Sequence, residues 1–260
     1  MPVVSVIIPV YNAEKTVRKA LQSVVSQDFE ESVEIVITND GSTDRSLVII
    51  DEFFQEHPFP HKISSQKNSG VSKARNEAMK QASGKYLAFL DADDEWLPSK
   101  LWSQIEMMEQ HDLHFLAAKR TNQKILFPYS VQNGMAAITF KKLLIRNEVH
   151  PSTVIISKKL MEKTGFFDEK QRYAEDVNYW MRISEHFAMF ILNRPLVLAG
   201  GGKRTFGVSG LSANLKMMDK GFRKNLRDMY NAGRLNFLQL LFYTTFYKLK
   251  YHILTFRSRF

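Results

Sequence analysis

The chain has 260 residues, 44% of them hydrophobic, with 36 Lys and Arg against 27 Asp and Glu and no cysteine. That is enough apolar material for one full core with an appendage, and the missing cysteine excludes disulfides, thiolate catalysis and zinc-thiolate sites together. The net charge of +9 is unevenly placed: from Lys216 to Phe260 ten basic residues face only Asp219 and Asp228, so a near-neutral body carries a basic tail, unlike a uniformly basic nucleic-acid binder.

Met1-Pro2-Val3-Val4-Ser5 enters a strand-like run without the basic stretch or cleavage site of a secretory signal, so a cytoplasmic protein is expected. Residues 3–10 read as a strand that turns at Pro9-Val10-Tyr11-Asn12. Val17, Ala20, Leu21, Val24 and Val25 give residues 13–27 a helical period. A second buried strand over 33–38 is closed by Asn39-Asp40-Gly41-Ser42-Thr43-Asp44, and Leu47, Ile50, Phe53 and Phe54 form the inner face of the next helix. A short strand over 62–65 runs into Gln66-Lys67-Asn68-Ser69-Gly70 and a helix over 71–82 that carries Arg75 and Asn76. The apolar run from Tyr86 to Leu90 then ends in Asp91-Ala92-Asp93-Asp94-Glu95-Trp96. Strands alternating with helices at this spacing predict an α/β fold with a mostly parallel sheet, whose four polar loops share one edge.

Beyond Pro98 the periods mix. Helices are expected over 99–110, 140–146 and 175–186, and strands over 113–118, 124–129, 153–156 and 188–199. Asp91 and Asp93, two residues apart, can converge on one cation. Carboxylates without a neighbouring His or Cys suit Mg²⁺ or Mn²⁺. The alternative is an acidic loop capping the helix that follows Pro98. A phosphatase would place its nucleophilic Asp after the first strand, not the fourth.

Taken together, Val4-Ser5-Val6-Ile7-Ile8-Pro9-Val10-Tyr11-Asn12, Thr38-Asn39-Asp40-Gly41-Ser42-Thr43-Asp44, Asn68-Ser69-Gly70-Val71-Ser72-Lys73-Ala74-Arg75-Asn76 and Phe89-Leu90-Asp91-Ala92-Asp93-Asp94 closely resemble the family 2 glycosyltransferases of the GT-A fold. The resemblance covers roughly residues 1–200, most closely before Trp96, and implies helices on both faces of the sheet, with a nucleotide-sugar-binding half over 1–97 and an acceptor half over 98–215; residues 216–260 are read from their composition as a basic, aromatic helical tail. The resemblance also implies a nucleotide-diphosphate sugar donor, with UDP expected, and an acceptor hydroxyl on a saccharide or lipid-linked saccharide. Pro9 and Tyr11 would line the base pocket, and Asp40 would accept the imide N–H of uracil. Asn12, Gly41, Ser42, Asn68, Gly70, Arg75 and Ala92 fall in the donor-binding motifs. Asp93, with Asp91, would hold Mg²⁺ or Mn²⁺.

Tyr173-Ala174-Glu175-Asp176-Val177-Asn178 is similar to the family's Glu-Asp motif. Asp176 is assigned as general base and Glu175 as its substitute; by position alone, two first-turn acids that stabilise a helix explain them equally well. One in-line displacement would invert the anomeric centre. Where many relatives have a basic or His-containing loop, this chain has Gly200-Gly201-Gly202-Lys203-Arg204, either a Gly-hinged cover for the phosphates or a solvated turn. His150-Pro151-Ser152-Thr153 resembles an acceptor-side segment of some relatives, but a lone His before Pro is read as structural.

The tail mixes aromatics with basic residues, and the apolar run over 237–247 is too short to span a bilayer. It suits an anionic membrane surface on the inner face of the cell membrane, or helices folded back on the body or joining a homodimer. Nucleic acid is disfavoured. The expected function is a metal-dependent inverting transferase of polysaccharide or lipid-linked oligosaccharide synthesis. The alternatives are a sugar-nucleotide pyrophosphorylase, disfavoured because no Gly-rich, Arg-containing loop opens the chain, and an inactive membrane-associated subunit.

Overall fold

The computed structural model describes residues 2–202 and 213–257. In the first half β1 (Val4–Val10), β2 (Val33–Asn39), β3 (His61–Ser65) and β4 (Tyr86–Phe89) alternate with α1 (Val17–Val25), α2 (Ser46–Glu56) and α3 (Val71–Gln81). Then come β5 (Glu95–Trp96), α4 (Lys100–Gln110), β6 (Phe115–Arg120), β7 (Met135–Ile138), α5 (Phe140–Leu143), β8 (Ile155–Ser157), α6 (Leu160–Thr164), α7 (Glu175–Ile183), β9 (Met189–Leu198), α8 (Leu215–Asn231) and α9 (Phe237–Arg257).

One sheet runs in the order β3-β2-β1-β4-β8-β6-β9-β5, with β7 also paired to β9. The β3-β2-β1-β4 half is parallel throughout. β8 lies antiparallel between β4 and β6, β9 is parallel to β6, and β5 and β7 run antiparallel to β9. Every residue of β1 is buried, as continuous apolar strands are when helices cover both faces of a sheet. Val6 and Ile8 join the core under α1, α2 and α4, while Ile7 joins the opposite core with α3 and α7, which is the two-residue alternation of a strand. In that second core Trp180 of α7 is fully buried against the rings of Phe115 at 5.1 Å and Phe167 at 5.9 Å.

A buried carboxylate ties the strands below the site edge. Glu34 Oε1 accepts the hydroxyls of Ser5 at 2.6 Å and Ser83 at 2.7 Å and the Ser83 N–H at 2.7 Å, and Lys62 Nζ stands 2.9 Å from Oε2. Burial alone would raise its pKa; these donors overcome that and lower it from 4.5 to about 2. The stabilisation is therefore complete above pH 4.5 and fades as pH falls through about 2. Glu34→Gln should lower Tm by about 4–8 °C at neutral pH, taking roughly 2 kcal/mol for charge-assisted bonds. Calorimetry should show that deficit shrinking in acid; a deficit independent of pH would contradict the assignment.

The tail is fastened to the body along one side. Leu226, Met229, Leu235 and Tyr247 are buried in the same core as Trp180. Asn225, fully buried, donates to the Ala174 carbonyl at 2.9 Å and accepts from Gln171 at 2.7 Å. At Gly221 the helix comes so close that an added Cβ would collide with the Tyr173 carbonyl oxygen.

Two differences from the sequence expectation stand out. Residues 124–129 form no strand: Phe127-Pro128 is a cis bond there, and Pro supplies no N–H to a ladder. The strand in this region is instead β7, Met-Ala-Ala-Ile, held by β9. Helix α5 also ends at Leu143, earlier than expected.

Candidate active site

The ends of β1, β2 and the loop after β3 are sewn together by short polar bonds. Asn12 takes a left-handed φ of 47°; its N–H donates to Ser42 Oγ at 3.0 Å and its Oδ1 accepts the Thr43 N–H at 2.9 Å. Gly41 has φ 73°, and an added Cβ would lie 2.8 Å from the Asn68 nitrogen, so both its conformation and its neighbour require glycine. Asp40 is buried and accepts three bonds: from Gln66 Nε2 at 2.7 Å and the Ser69 and Gly70 N–H groups, each at 2.8 Å. A carboxylate has about four lone pairs, so Asp40 fixes the loop before α3 and keeps one for a ligand.

Pro9 is buried beneath this edge and Tyr11 is 50% exposed above it. A cavity of about 250 Å³ opens beside the same loop, between Asn68, Gly70 and Ser72 on one side and residues 169–172 on the other. It does not include the acids after β4.

Those acids are held from several directions. Ala92 is buried, Asp91 half-buried, Asp93 exposed and Asp94 buried. The Asp91 N–H donates to Ser152 Oγ at 3.0 Å, Ser152 Oγ in turn donates to Asp94 Oδ2, and Asp94 Oδ1 accepts the Gly200 N–H at 2.7 Å. Trp96 Nε1 donates to the Ser152 carbonyl at 2.9 Å. This brings His150 to the cluster: its Nδ1 lies 3.4 Å from Asp94 Oδ2 and has no hydrogen-bond partner. One ligand atom each from Asp91, Asp94 and His150 lie within 4.8 Å of one another.

Asp93, although exposed as a whole, loses water among its neighbouring acids, and this, with the charges of Asp91 and Asp94, raises it to about 6. Burial and the Asp91 charge raise Asp94 to about 6 against the Ser152 and Gly200 bonds. Burial lowers His150 to about 4, leaving a neutral imidazole. Carboxylates crowded enough to resist ionisation, beside an orphaned neutral nitrogen, form a donor set that suits a divalent cation.

Arg75 joins the two acid groups. It is 3% exposed; Nη2 donates to Asp91 Oδ1 at 2.6 Å and Nη1 to Glu175 Oε1 at 3.0 Å, with the Phe167 ring 5.5 Å from the guanidinium. Burial disfavours charge on Asp91, but Arg75 outweighs it and holds that carboxyl below its ordinary range. Glu175 moves the other way, raised by burial in spite of the same guanidinium.

Helix α7 begins at Glu175 after Ala174, whose φ of 55° is left-handed. Backbone strain of this kind persists where the surroundings enforce it, here through the Asn225 and Gln171 bonds to the Ala174 carbonyl. Asp176 follows in the first turn, and Asn147 Nδ2 donates to its Oδ2 at 3.4 Å. Burial and then the Glu175 charge raise Asp176 to about 7.

The structure thus brings Asp91, Arg75, Glu175 and Asp176 into one connected group, and places Tyr11, Asn12, Asp40, Gly41, Ser42, Asn68 and Gly70 along the neighbouring edge. Asp93 stands exposed rather than within the Asp91, Asp94 and His150 cluster. Lys203 and Arg204 lie outside the described residues. Asp94, His150 and Asn147 are the additions to the sequence-derived set; their signal is spatial, since 56 to 59 residues separate the acids from the His150 turn.

Comparison with known proteins gives the family and the fold. Residues 5–168 match the family described as Glycosyl transferase family 2. The chain is 32% identical over 215 residues to the Escherichia coli UDP-Glc:alpha-D-GlcNAc-diphosphoundecaprenol beta-1,3-glucosyltransferase WfgD, covering 81% of this chain and 80% of that protein. It is 30% identical over 206 residues to the uncharacterized glycosyltransferase RP339 of Rickettsia prowazekii, covering 75% of this chain but 63% of the relative's length. Among solved structures, S. aureus TarS 1-349 in complex with UDP-GlcNAc superposes with a TM-score of 0.68 at 24% identity over 88% of this chain and 66% of that one. The mannosyltransferase PcManGT of Pyrobaculum calidifontis, in complex with GDP-Man and Mn²⁺, gives 0.71 at 18% identity over 96% of this chain and 71% of that one. These two likenesses show a shared GT-A fold.

Proposed function

The chain belongs to glycosyl transferase family 2 and is a glycosyltransferase, and from that premise we propose that it transfers a sugar from a UDP-linked donor to a hydroxyl of a lipid-linked saccharide, with inversion. The observation that carries the reading is Arg75, which holds Asp91 on the donor side and Glu175, next to Asp176, on the acceptor side with one guanidinium.

Tyr11, half exposed at the end of β1, offers a flat apolar surface for a pyrimidine. The lone pair left on Asp40 can accept an imide N–H, which uracil has and cytosine lacks. A UDP-glucose or UDP-GlcNAc donor is supported by the WfgD and TarS relatives, and the diphospho-lipid acceptor by WfgD alone.

Asp91, Asp94 and His150 are close enough to hold Mg²⁺ or Mn²⁺ together, with the exposed Asp93 beside them as the further carboxylate, and such a cation, when bound, would offset negative charge on the departing diphosphate. Asp176 takes the proton of the attacking hydroxyl as the new O–C1 bond forms and the C1–O bond to the diphosphate breaks on the opposite side. A pKa of about 7 suits this task near neutral pH. Glu175 contributes by its charge, which raises Asp176, while Arg75 limits that rise.

The test is transfer from UDP-glucose and UDP-GlcNAc to a GlcNAc-diphosphate lipid, followed after EDTA treatment and after addition of Mn²⁺. Activity should vanish with the chelator and return with the ion, and Asp93→Ala should lower it by about a hundredfold or more, the loss of several kcal/mol of charge stabilisation. Full turnover in EDTA would overturn the metal assignment.

A further inference from the structure

Helix α9 is apolar on two sides. On the inner side Tyr247 is buried and stacks on Phe222 of α8 with ring centroids 5.0 Å apart, while Leu240, Tyr243 and Phe246 pack on the same core. On the outer side Leu238, Leu241, Phe242, Leu249, Ile253 and Phe256 are between 50% and 74% exposed. They recur every one to seven residues along one side of the helix, a row roughly 27 Å long at about 1.5 Å per residue. Single exposed apolar residues are ordinary in a folded protein; six along one side of a helix, interrupted only by Thr245 and His252, are not.

The charge around the row is of one sign. From Met229 to Phe260 the sequence contains no Asp or Glu, and of the two α9 lysines Lys250 turns inward to the Ile145 carbonyl. Lys248 is exposed. A second copy of this face would bring like charges together, whereas an anionic lipid surface complements both the apolar row and the cations. Among the described residues no helix is long and apolar enough to cross a membrane, so burial of the row calls for a helix that lies along the surface.

We propose that the outward face of α9 docks in the plane of an anionic lipid membrane. The inference deepens the lipid-linked acceptor reading and rests on it for its purpose. Beneath α9 runs the segment that begins at α5: Lys250 Nζ donates to the Ile145 carbonyl at 3.4 Å, and two residues later Asn147 reaches Asp176. Docking through α9 therefore places lipid one helix thickness from the segment that contacts Asp176, within reach of a saccharide carried on a lipid.

The experiment is co-sedimentation of the full chain with vesicles of phosphatidylglycerol and phosphatidylcholine in equal parts, against vesicles of phosphatidylcholine alone. The protein should pellet with the anionic vesicles and be released by high salt. Leu241→Gln/Leu249→Gln/Ile253→Gln, changed only on the outer side, should lower the partition coefficient by about a hundredfold with an unchanged circular dichroism spectrum. Hydrolysis of UDP-glucose in vesicle-free buffer should be the same for both proteins, and that measurement reports on the active-site reading independently. Equal binding of the triple variant would overturn the proposal, as would binding indifferent to phosphatidylglycerol. So would a wild-type dimer in analytical ultracentrifugation that the triple variant dissociates, since a second copy would then cover the face.

Discussion

Asp176→Asn should lower kcat by about a thousandfold while leaving the Kd of the UDP-sugar within about twofold, the expected loss when a positioned proton acceptor becomes a neutral amide of the same shape. Wild-type kcat/KM should rise with pH up to about 7, where Asp176 ionises, and stay flat above. That limb should be missing from the variant's residual activity. The same substitution should stabilise the fold. An unfolded Asp titrates near 4 and the native one at about 7, so the native state carries no penalty below about pH 4 and the full penalty above about pH 7. At pH 8 the variant should melt about 4 °C or more higher than wild type, and at pH 3.5 the two should coincide. Unchanged kcat would remove Asp176 as the base, and a lower Tm at pH 8 would contradict the origin of its raised pKa.

Arg75→Met should be the most destabilising single change at the site. It leaves Asp91 and Glu175 facing each other without the cation between them, and breaking a buried ion pair on one side costs about 3–5 kcal/mol. At roughly 2–4 °C per kcal/mol for a chain of this size, Tm should fall by about 6–20 °C. Adding Glu175→Gln should recover part of the loss, because one of the stranded charges is then gone; strict additivity in the double-mutant cycle would refute the coupling. Arg75→Lys, a single ammonium in place of a fork, should keep one partner and fall between. Because the Arg75 charge lowers Asp176, its loss should move the acid limb of the pH profile to higher pH. A purely structural role would not move it.

The first half of the chain was legible because β1, β2 and β4 are buried on both faces and read as largely apolar runs. Val4 to Val10 and Val33 to Asn39 could hardly be anything else. Turn chemistry was equally clear at Asn12, Asp40 and Gly70. Past Trp96 the signals weaken for physical reasons. β5 has two residues and β7 only four, two of them Ala, and both exist because β9 supplies a partner. Residues 124–129 carried apolar side chains of strand type, but their backbone has no neighbouring ladder to join.

At the site, Asp91 and Asp176 stood out as acids at element ends, and their link did not. Arg75 is 16 residues from one partner and 100 from the other, so only the packed sheet shows that it connects them. His150 was set aside as a lone His before Pro. Its place beside Asp94 comes from Ser152, which no local pattern announces.

The antiparallel pairing of Glu95 with Leu198 bears on how the protein is made. The parallel half of the sheet has all its strands once Phe89 has left the ribosome, and the acidic loop then gains its Ser152 bonds, yet its strand pairing comes only when Leu198 emerges, about 5–20 s after Phe89 at ordinary elongation speeds. Nascent chains halted before β9 should therefore resist protease across β1 to β4 and be cut within 91–96. Of the loops at the ends of β1, β2 and β4, the acidic one is thus the last to be completed.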